Sequence, residues 1–253
     1  MKSEVMSPKF FERKSFCSQH GPYLERGVYM SKDQGPLWFG CPLCDKEARE
    51  RDEQYWKNRE ANRRLDLISA VLDRSSAIPL RFKGRGFDEY QTDNQGQKNA
   101  VEGCRFFVEH FEEFRKRGKG LSFFGKNGTG KTHLSLAILQ ALYPDVIGAY
   151  VTMPALLDLL RSSTVDRDAL RRILTRNPLL VMDEFYKPRW DSELKEIFTV
   201  LDYRYQMRIP TVLVTNLTPT ELQKTDKSIY SRLYESSVFF EFGWCDYRLK
   251  KSK

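Results

Sequence analysis

Eight consecutive residues in the middle of the chain form a glycine-rich loop whose residue types suit phosphate binding. Its glycines let successive backbone N–H groups turn toward one anion without a clash from a side chain. Lys131 can reach the terminal phosphates of a nucleotide, and the Thr132 hydroxyl can hold Mg²⁺. The loop therefore predicts a nucleoside triphosphate site, and a glycine-rich turn that matches by chance is the alternative. Its members fit G-x-x-x-x-G-K-[ST] and are Gly125, Lys126, Asn127, Gly128, Thr129, Gly130, Lys131 and Thr132.

The segments on either side of this loop are those that such a loop requires. The apolar run Leu121–Phe124 predicts a buried β-strand, and the apolar periodicity of His133–Leu142 predicts a helix. A helix that begins at the loop directs the positive end of its dipole toward bound phosphates. The strand, loop and helix together predict a phosphate site at a sheet edge.

A pair of carboxylates follows the second apolar run, Leu179–Met182. A strand of this kind is typical of the central parallel sheet of a nucleotide-binding α/β fold, and we expect it to lie next to the strand that precedes the loop. There Asp183 would contact Mg²⁺, mostly through water, and Glu184 would polarise the attacking water. An ordinary strand end with solvated acids is the alternative.

A third predicted strand, Thr211–Thr215, ends at Asn216. The amide side chain can orient a water molecule between Mg²⁺ and the γ-phosphate. Asparagine also starts turns and caps helices, and Thr218-Pro219 predicts a helix immediately afterwards. Both roles for Asn216 remain open from the sequence.

Four metal-ligating side chains near the N-terminus form two pairs, each with a two-residue gap. They are Cys17 with His20 and Cys41 with Cys44. Three thiolates and one imidazole make a closed tetrahedral site of the structural zinc type. The intervening segment is too small to bury a core unaided, so zinc would contribute the missing folding free energy. A disulfide and unrelated buried thiols are the alternatives.

The chain is predicted to have three parts. Residues 1–45 form the zinc-binding module, and residues 46–75 form a charged helical connector, supported by favourable pairs such as Glu47–Arg51. The last turns of the connector either dock on a partner or pack on their own domain. Residues 76–253 alternate between strand and helix patterns, which predicts an α/β domain with a doubly wound parallel sheet.

Composition limits the partners and the compartment. The 253-residue chain has a formal net charge of +8, which favours a nucleic-acid partner. No apolar stretch reaches the length of a membrane span, and the N-terminus lacks a signal-peptide core. We therefore expect a cytoplasmic protein with no membrane partner.

Five motifs in register resemble the AAA+ ATPases of the DnaC/DnaI helicase-loader and IstB group. The resemblance covers Phe87 to Arg248, and the N-terminal part is similar to the helicase-binding portion of some loaders. It implies a P-loop AAA+ fold and ATP hydrolysis with Mg²⁺. The motifs are the phosphate loop with His133-Leu134, Leu179–Glu184, Val214–Asn216, Ser231-Arg232-Leu233 and Asp246-Tyr247-Arg248.

The resemblance also implies roles for arginines. Arg232 matches the arginine finger, which acts on ATP held by a neighbouring subunit, and Arg248 matches the second sensor, which contacts the γ-phosphate of its own subunit. A basic region between two strands matches the segment that touches single-stranded DNA in the group. A solvated basic face balanced by Asp158, Asp166 and Asp168 is the alternative. The arginines are Arg161, Arg167, Arg171, Arg172 and Arg176.

The function implied is that of a replication helicase loader. Its N-terminal part would hold a ring helicase while the ATPase domains assemble into an ATP-dependent oligomer on single-stranded DNA. Two alternatives are an IstB-like helper ATPase that acts on duplex DNA with a transposase, and a zinc-containing adaptor with a slow nucleotide-sensing site.

Overall fold

The computed structural model describes residues 10–28, 36–72, 79–186 and 191–250 of the chain. The parts of the predicted module, connector and ATPase domain that fall in 1–9, 29–35, 73–78, 187–190 and 251–253 lie outside the described residues. The chain divides into two compact units, Met1–Glu60 and Ala61–Lys253. The long helix α1, Pro42–Leu72, contributes residues to both units. The division therefore falls inside the predicted connector.

The first unit contains a small antiparallel sheet. Its strands are β1 (Phe10–Cys17), β2 (Gly21–Val28) and β3 (Leu37–Trp38), and they pair in that order. Arg13 crosses from β1 to form an ion pair with the buried Glu25 on β2, and its guanidinium lies 4.0 Å above the Trp38 ring. These contacts stabilise one face of a sheet that is too small to enclose an apolar core.

The second unit is built on a parallel sheet of five strands with the order β5-β6-β7-β4-β8. The predicted parallel α/β sheet is confirmed. The expected neighbour of β4 is wrong, because β7 lies between β4 and β6 and pairs with both. Nothing in the sequence pattern distinguishes these neighbours, since β4, β6 and β7 each carry a similar buried and mostly apolar run. The strands are β4 (Gly120–Gly125), β5 (Ala149–Thr152), β6 (Leu180–Phe185), β7 (Thr211–Thr215) and β8 (Ser237–Phe242).

Helices cover both faces of this sheet. The apolar periodicity of Gln97–Arg117 predicts one helix, but the segment forms two, because His110 has φ −111° and ψ 25° and interrupts the helical backbone. A short 3₁₀ turn at Leu80–Phe82 precedes them. The helices are α2 (Gln95–Glu109), α3 (Phe111–Arg117), α4 (Lys131–Leu142), α5 (Met153–Arg161), α6 (Arg167–Arg176), α7 (Asp191–Gln206), α8 (Pro219–Thr225), α9 (Lys227–Ser236) and α10 (Tyr247–Lys250).

The core of the second unit lies in two layers, one on each face of the sheet. Alternate residues of a strand enter opposite layers, as Val181 and Met182 do on β6. Helices α2 and α4 pack in the layer of Val181, and α5, α6, α7 and α9 pack in the other. Leu72, at the end of α1, is fully buried in the second layer, so the last turn of the predicted connector packs on the ATPase core itself. None of the described helices is both long and apolar enough to cross a membrane.

A buried arginine on α7 connects the end of α6 with the start of β7. Arg204 on α7 donates hydrogen bonds to the carbonyls of Leu174 and Asn177 at the end of α6, and to the Thr211 hydroxyl at the start of β7. Burial lowers the pKa of Arg204 to about 9. Several hydrogen bonds to neutral oxygens offset the desolvation of its guanidinium, which fixes α6 against the sheet.

Candidate nucleotide site and metal centre

The predicted phosphate loop connects the end of β4 to the start of α4. Gly125, Gly128 and Gly130 have φ values of 132°, 72° and 92°, in the region that favours glycine. A Cβ atom at Gly128 would lie 1.8 Å from the Asp246 carboxylate, so a larger residue would displace that side chain. Glycine is therefore required by both the conformation and the space at this position.

Lys131 is buried at the start of α4 and folds back over the loop. Its ammonium donates to the carbonyls of Gly125 (2.6 Å) and Lys126 (2.7 Å) and to Asn216 Oδ1 (3.0 Å). Burial lowers the pKa of Lys131 to about 8, while the Asp183 charge acts to raise it and the Arg248 charge to lower it. The structure thus brings the side chain of Asn216, which follows β7, to the loop lysine.

The two carboxylates at the end of β6 have different surroundings. Asp183 is buried, and its Oδ2 accepts a hydrogen bond from the Tyr150 hydroxyl at 3.0 Å while its Oδ1 accepts one from the Glu184 N–H at 2.7 Å. Glu184 is exposed and has φ 54°, at an irregularity in the pairing of β6 with β7. Asp183 is therefore held in one orientation, and Glu184 is turned out of the ladder.

Tyr150 belongs to no motif that the sequence offers. It lies in β5, whose residue types predict only a buried strand. A phenol inside a buried strand needs a hydrogen-bond partner, and this requirement is the one signal that could have singled it out. Burial, first, and then the Asp183 charge raise the pKa of the Tyr150 hydroxyl, so it remains a donor.

The four predicted metal ligands come together in the first unit. Cys17 ends β1, His20 lies in the turn before β2, Cys41 precedes α1 and Cys44 lies in its first turn. Their ligand atoms all lie within 4.8 Å of one another, and the cysteines are free thiols. One nitrogen and three sulfur atoms around a common point fit a tetrahedral metal ion of the zinc type.

Glu47 completes the surroundings of this cluster. His20 Nδ1 faces the sulfur atoms at 3.4–3.7 Å, and His20 Nε2 lies 2.9 Å from Glu47 Oε1. The Glu47 hydrogen bond, with a further contribution from Cys17, raises the pKa of His20 to about 9, and a metal ion bound at Nδ1 would displace the proton there. A carboxylate on the outer nitrogen orients the ring and leaves Nδ1 toward the metal position. The sequence pattern predicts only an ion pair between Glu47 and Arg51 on the helix.

Comparison with known proteins identifies the family of the chain. Residues 109–235 match the model of the family described as IstB-like ATP binding protein. The chain is 30% identical over 199 residues to the replicative helicase loader DnaC of Escherichia coli K12, covering 75% of this chain and 79% of DnaC. The chain belongs to this family of ATPases.

A second relative and a solved structure agree with this membership. The replicative helicase loader DnaI of Bacillus subtilis is 29% identical over 233 residues, covering 87% of this chain and 74% of DnaI. The crystal structure of the DnaC helicase loader has a TM-score of 0.57 at 28% identity, covering 64% of this chain and 98% of that chain. The chain spans 65% to 79% of the length of the curated relatives it matches. It is an AAA+ ATPase of the DnaC/DnaI type.

The two arginines that the IstB-like motifs single out have different positions. Arg248 lies on α10, where its backbone N–H donates to Asp246 Oδ1, the carboxylate that packs against Gly128 of the loop. Arg232 lies on α9 and contacts α7, with Nε 2.6 Å from Asp202 Oδ1. Arg248 thus lies beside the phosphate loop of its own chain, whereas Arg232 lies on α9 and contacts α7.

The arginines between β5 and β6 are partly paired with acids of the same domain. Arg161 contacts Glu193 at 2.7 Å, and Arg171 contacts Glu196 at 3.6 Å. Arg172 and Arg176 are exposed on α6. Arg161 also lies 3.6 Å from Asp158, one of the acids expected, whereas both glutamates belong to α7, which packs beside α6.

Proposed function

We propose that this protein loads a replicative ring helicase onto single-stranded DNA as an ATP-dependent AAA+ switch. The observation that supports the proposal is the contact of the loop residue Lys131 with Asn216, beside the β6 carboxylates, on a chain whose relatives include the helicase loaders DnaC and DnaI. Lys131, Asp183 and Glu184 are all present, which argues against an adaptor with an idle site.

Each residue of the site has a role in hydrolysis. Thr132 and Asp183 would hold Mg²⁺, which would neutralise charge on the β- and γ-phosphates. Lys131 would exchange its contacts with the loop carbonyls for contacts with the phosphates. Glu184, which is exposed at the end of β6, would orient and polarise the attacking water. Asn216, already within hydrogen-bond distance of Lys131, positions that water relative to the γ-phosphate.

Zinc holds the N-terminal module together. Cys17, His20, Cys41 and Cys44 bind the ion and so link the β1–β2 turn to the start of α1. The Glu47 carboxylate keeps His20 in the tautomer that presents Nδ1 to the ion. This link replaces the apolar core that a sheet of this size lacks.

One face of the zinc module suits a protein partner. In the β1–β2 register, Lys14 stands opposite Leu24 and Phe16 stands opposite Pro22, so these residues share a face. Phe10, Phe16 and Leu24 on that face are 70%, 73% and 58% exposed. This face combines exposed apolar side chains with the charges of Glu12, Lys14 and Arg26, and we assign it to the helicase.

Bound ATP stabilises the contact between subunits, and the assembled subunits bind DNA. Arg232 reaches the nucleotide of an adjacent copy, so hydrolysis depends on assembly, while Arg248 senses the γ-phosphate of its own copy. The arginines of α5 and α6 neutralise DNA phosphates without reading bases. Hydrolysis removes the γ-phosphate and so weakens the contact between adjacent copies. The loader then dissociates from the helicase.

Binding of the purified helicase of the host replication machinery tests the proposal. We expect the wild-type chain to retain the helicase and the Phe16→Ser/Leu24→Ser variant to lose it. Met207→Ser, which removes an exposed apolar side chain elsewhere, is the control and should bind normally. Retention of the helicase by the double variant would place the contact on another surface. A truncated variant should lack residues 1–60 only. Removal of Leu72 as well would leave a cavity in the core of the second unit.

The family match also supports a second candidate function. The IstB-like description covers residues 109–235, which lie within the ATPase unit. A transposition helper would use this unit to remodel duplex DNA for a transposase. Turnover stimulated by duplex rather than single-stranded DNA, without helicase binding, would favour the helper.

A further inference from the structure

A single carbonyl of the phosphate loop accepts hydrogen bonds from two aromatic side chains that are distant in sequence. The Tyr90 hydroxyl, from the segment before α2, donates to Thr129 O at 2.9 Å. The Trp244 indole, from the segment after β8, donates to the same oxygen at 2.8 Å. Two donors from opposite ends of the unit thus hold one peptide group of the loop.

The preceding peptide group is held from the same side. The Tyr247 backbone N–H donates to Gly128 O at 2.9 Å, and the Asp246 carboxylate packs against the Gly128 Cα. Asp246 in turn accepts the Arg248 N–H. Residues Trp244–Arg248, which we call the C-terminal clamp, therefore contact two consecutive loop carbonyls.

Both aromatic rings are themselves fixed by packing. The Tyr90 ring lies 5.5 Å from the His133 ring, edge on, and the Trp244 ring lies 4.9 Å from the Phe242 ring. A Cβ atom at Gly96 would lie 3.2 Å from the Trp244 ring, so the indole is wedged against the start of α2. The two donors are accordingly rigid supports, in place before a ligand arrives.

The direction of these carbonyls decides the direction of the neighbouring amides. In a trans peptide group, C=O and N–H point in opposite directions. With Thr129 C=O turned toward Tyr90 and Trp244, the Gly130 N–H points away from them. With Gly128 C=O turned toward the Tyr247 N–H, the Thr129 N–H points away from Tyr247. These N–H groups are those that a phosphate loop presents to its anion.

We propose that Tyr90 and Trp244 are positioning residues that preorganise the Thr129 and Gly130 amides for the nucleotide phosphates. The inference rests on the proposed phosphate site and adds the residues that shape it. Because both donors share one acceptor, the loss of either one loosens the carbonyl only in part. Loss of both lets the peptide group rotate, and its N–H no longer faces the phosphates.

Nucleotide affinity of full-length variants tests this assignment. Tyr90→Phe and Trp244→Phe each remove one donor and keep a ring. We expect each single change to weaken ADP binding about twofold and the double change to weaken it about tenfold, more than the product of the two. Calorimetry gives the affinities. Tyr55→Phe/Trp56→Phe, the same exchanges at two exposed residues of α1, is the control and should bind as wild type.

A phosphate-only probe separates positioning from general stability. Displacement of a fluorescent nucleotide by inorganic tripolyphosphate should weaken in the double variant by the same factor as ADP binding. A lower melting temperature with unchanged ADP and tripolyphosphate affinities would overturn the proposal. If the double variant does not fold, wild-type affinity in both single variants would overturn it. Failure of the wild-type chain to bind ADP would instead remove the nucleotide site itself.

Discussion

Arg232 and Asp202 form an ion pair that holds the proposed arginine finger within its own chain. Arg232 Nε lies 2.6 Å from Asp202 Oδ1, and the guanidinium lies 4.6 Å from the centre of the Phe198 ring. The side chain is 28% exposed, so part of it faces solvent and is available to a neighbouring copy. The ion pair fixes the direction in which the finger extends from α9.

This geometry leads to a prediction for assembly-dependent hydrolysis. Arg232→Ala should leave ATP binding within about twofold of wild type, because the side chain contacts α7 rather than the loop. Hydrolysis measured as phosphate release at rising protein concentration should fall by about 10³-fold, the usual contribution of such a finger. Arg105→Ala, which removes another partly exposed paired arginine, is the control. Normal turnover in Arg232→Ala would refute the assignment.

Glu184→Gln tests the assignment of the water-activating group. The amide keeps the shape of the side chain but cannot polarise water as a carboxylate does. We expect a loss of about 10²- to 10⁴-fold in single-turnover hydrolysis, with ATP affinity unchanged. Glu241→Gln, at an exposed position on β8, should have no effect. Equal loss of binding and hydrolysis would indicate a different role for Glu184.

Tyr150→Phe should change the dependence of the ATPase on magnesium. It removes the donor to Asp183 Oδ2 and leaves a buried carboxylate oxygen short of a partner, which costs about 1–3 kcal/mol of folding stability. Reorientation of Asp183 should raise the Mg²⁺ concentration needed for half-maximal hydrolysis, while Mg²⁺-free nucleotide binding stays the same. Tyr230→Phe is the control. An unchanged Mg²⁺ requirement would show that Tyr150 supports the fold alone.

Removal of the metal should unfold only the first unit. We expect one zinc ion per chain by atomic absorption, and none in Cys44→Ser. Chelation should abolish helicase binding and leave the ATPase melting transition in place, because residues 61–253 have their own core. Glu47→Gln should weaken zinc affinity about tenfold or more. Full folding of the module without metal would contradict the structural role.

Charge reversal on α6 tests the DNA surface. Arg171→Glu/Arg172→Glu should reduce affinity for single-stranded DNA and flatten its dependence on salt, since fewer counterions are released. Loss of the exposed Arg171–Glu196 contact should have little effect on stability. Arg115→Glu/Lys116→Glu on α3 is a matched reversal elsewhere. Unchanged affinity in the α6 variant would favour a solvated basic face.

The sequence predicted the parts of the site that depend on local pattern. The phosphate loop and the two carboxylates stand at strand ends because each follows its own apolar run, and the metal ligands come in close pairs. Tyr90, Tyr150 and Trp244 escaped prediction for a different reason. Their partners lie 33 to 115 residues away, and a buried aromatic residue looks like ordinary core until its polar atom is located.

The order of the strands was also beyond the sequence. β7 lies between β4 and β6, although it comes last of the three along the chain. Buried parallel strands all carry similar apolar runs, so their neighbours are set by which helix covers which face. That order places Asn216, which follows β7, between the phosphate loop at the end of β4 and the carboxylates at the end of β6.

The backbone conformation at Glu184 lowers the folding stability of the chain. Left-handed dihedral angles suit glycine or asparagine, and a glutamate there costs on the order of 1–3 kcal/mol. With Glu184 in its proposed role, replacement by glycine would relieve this strain and raise the stability of the fold at the expense of turnover.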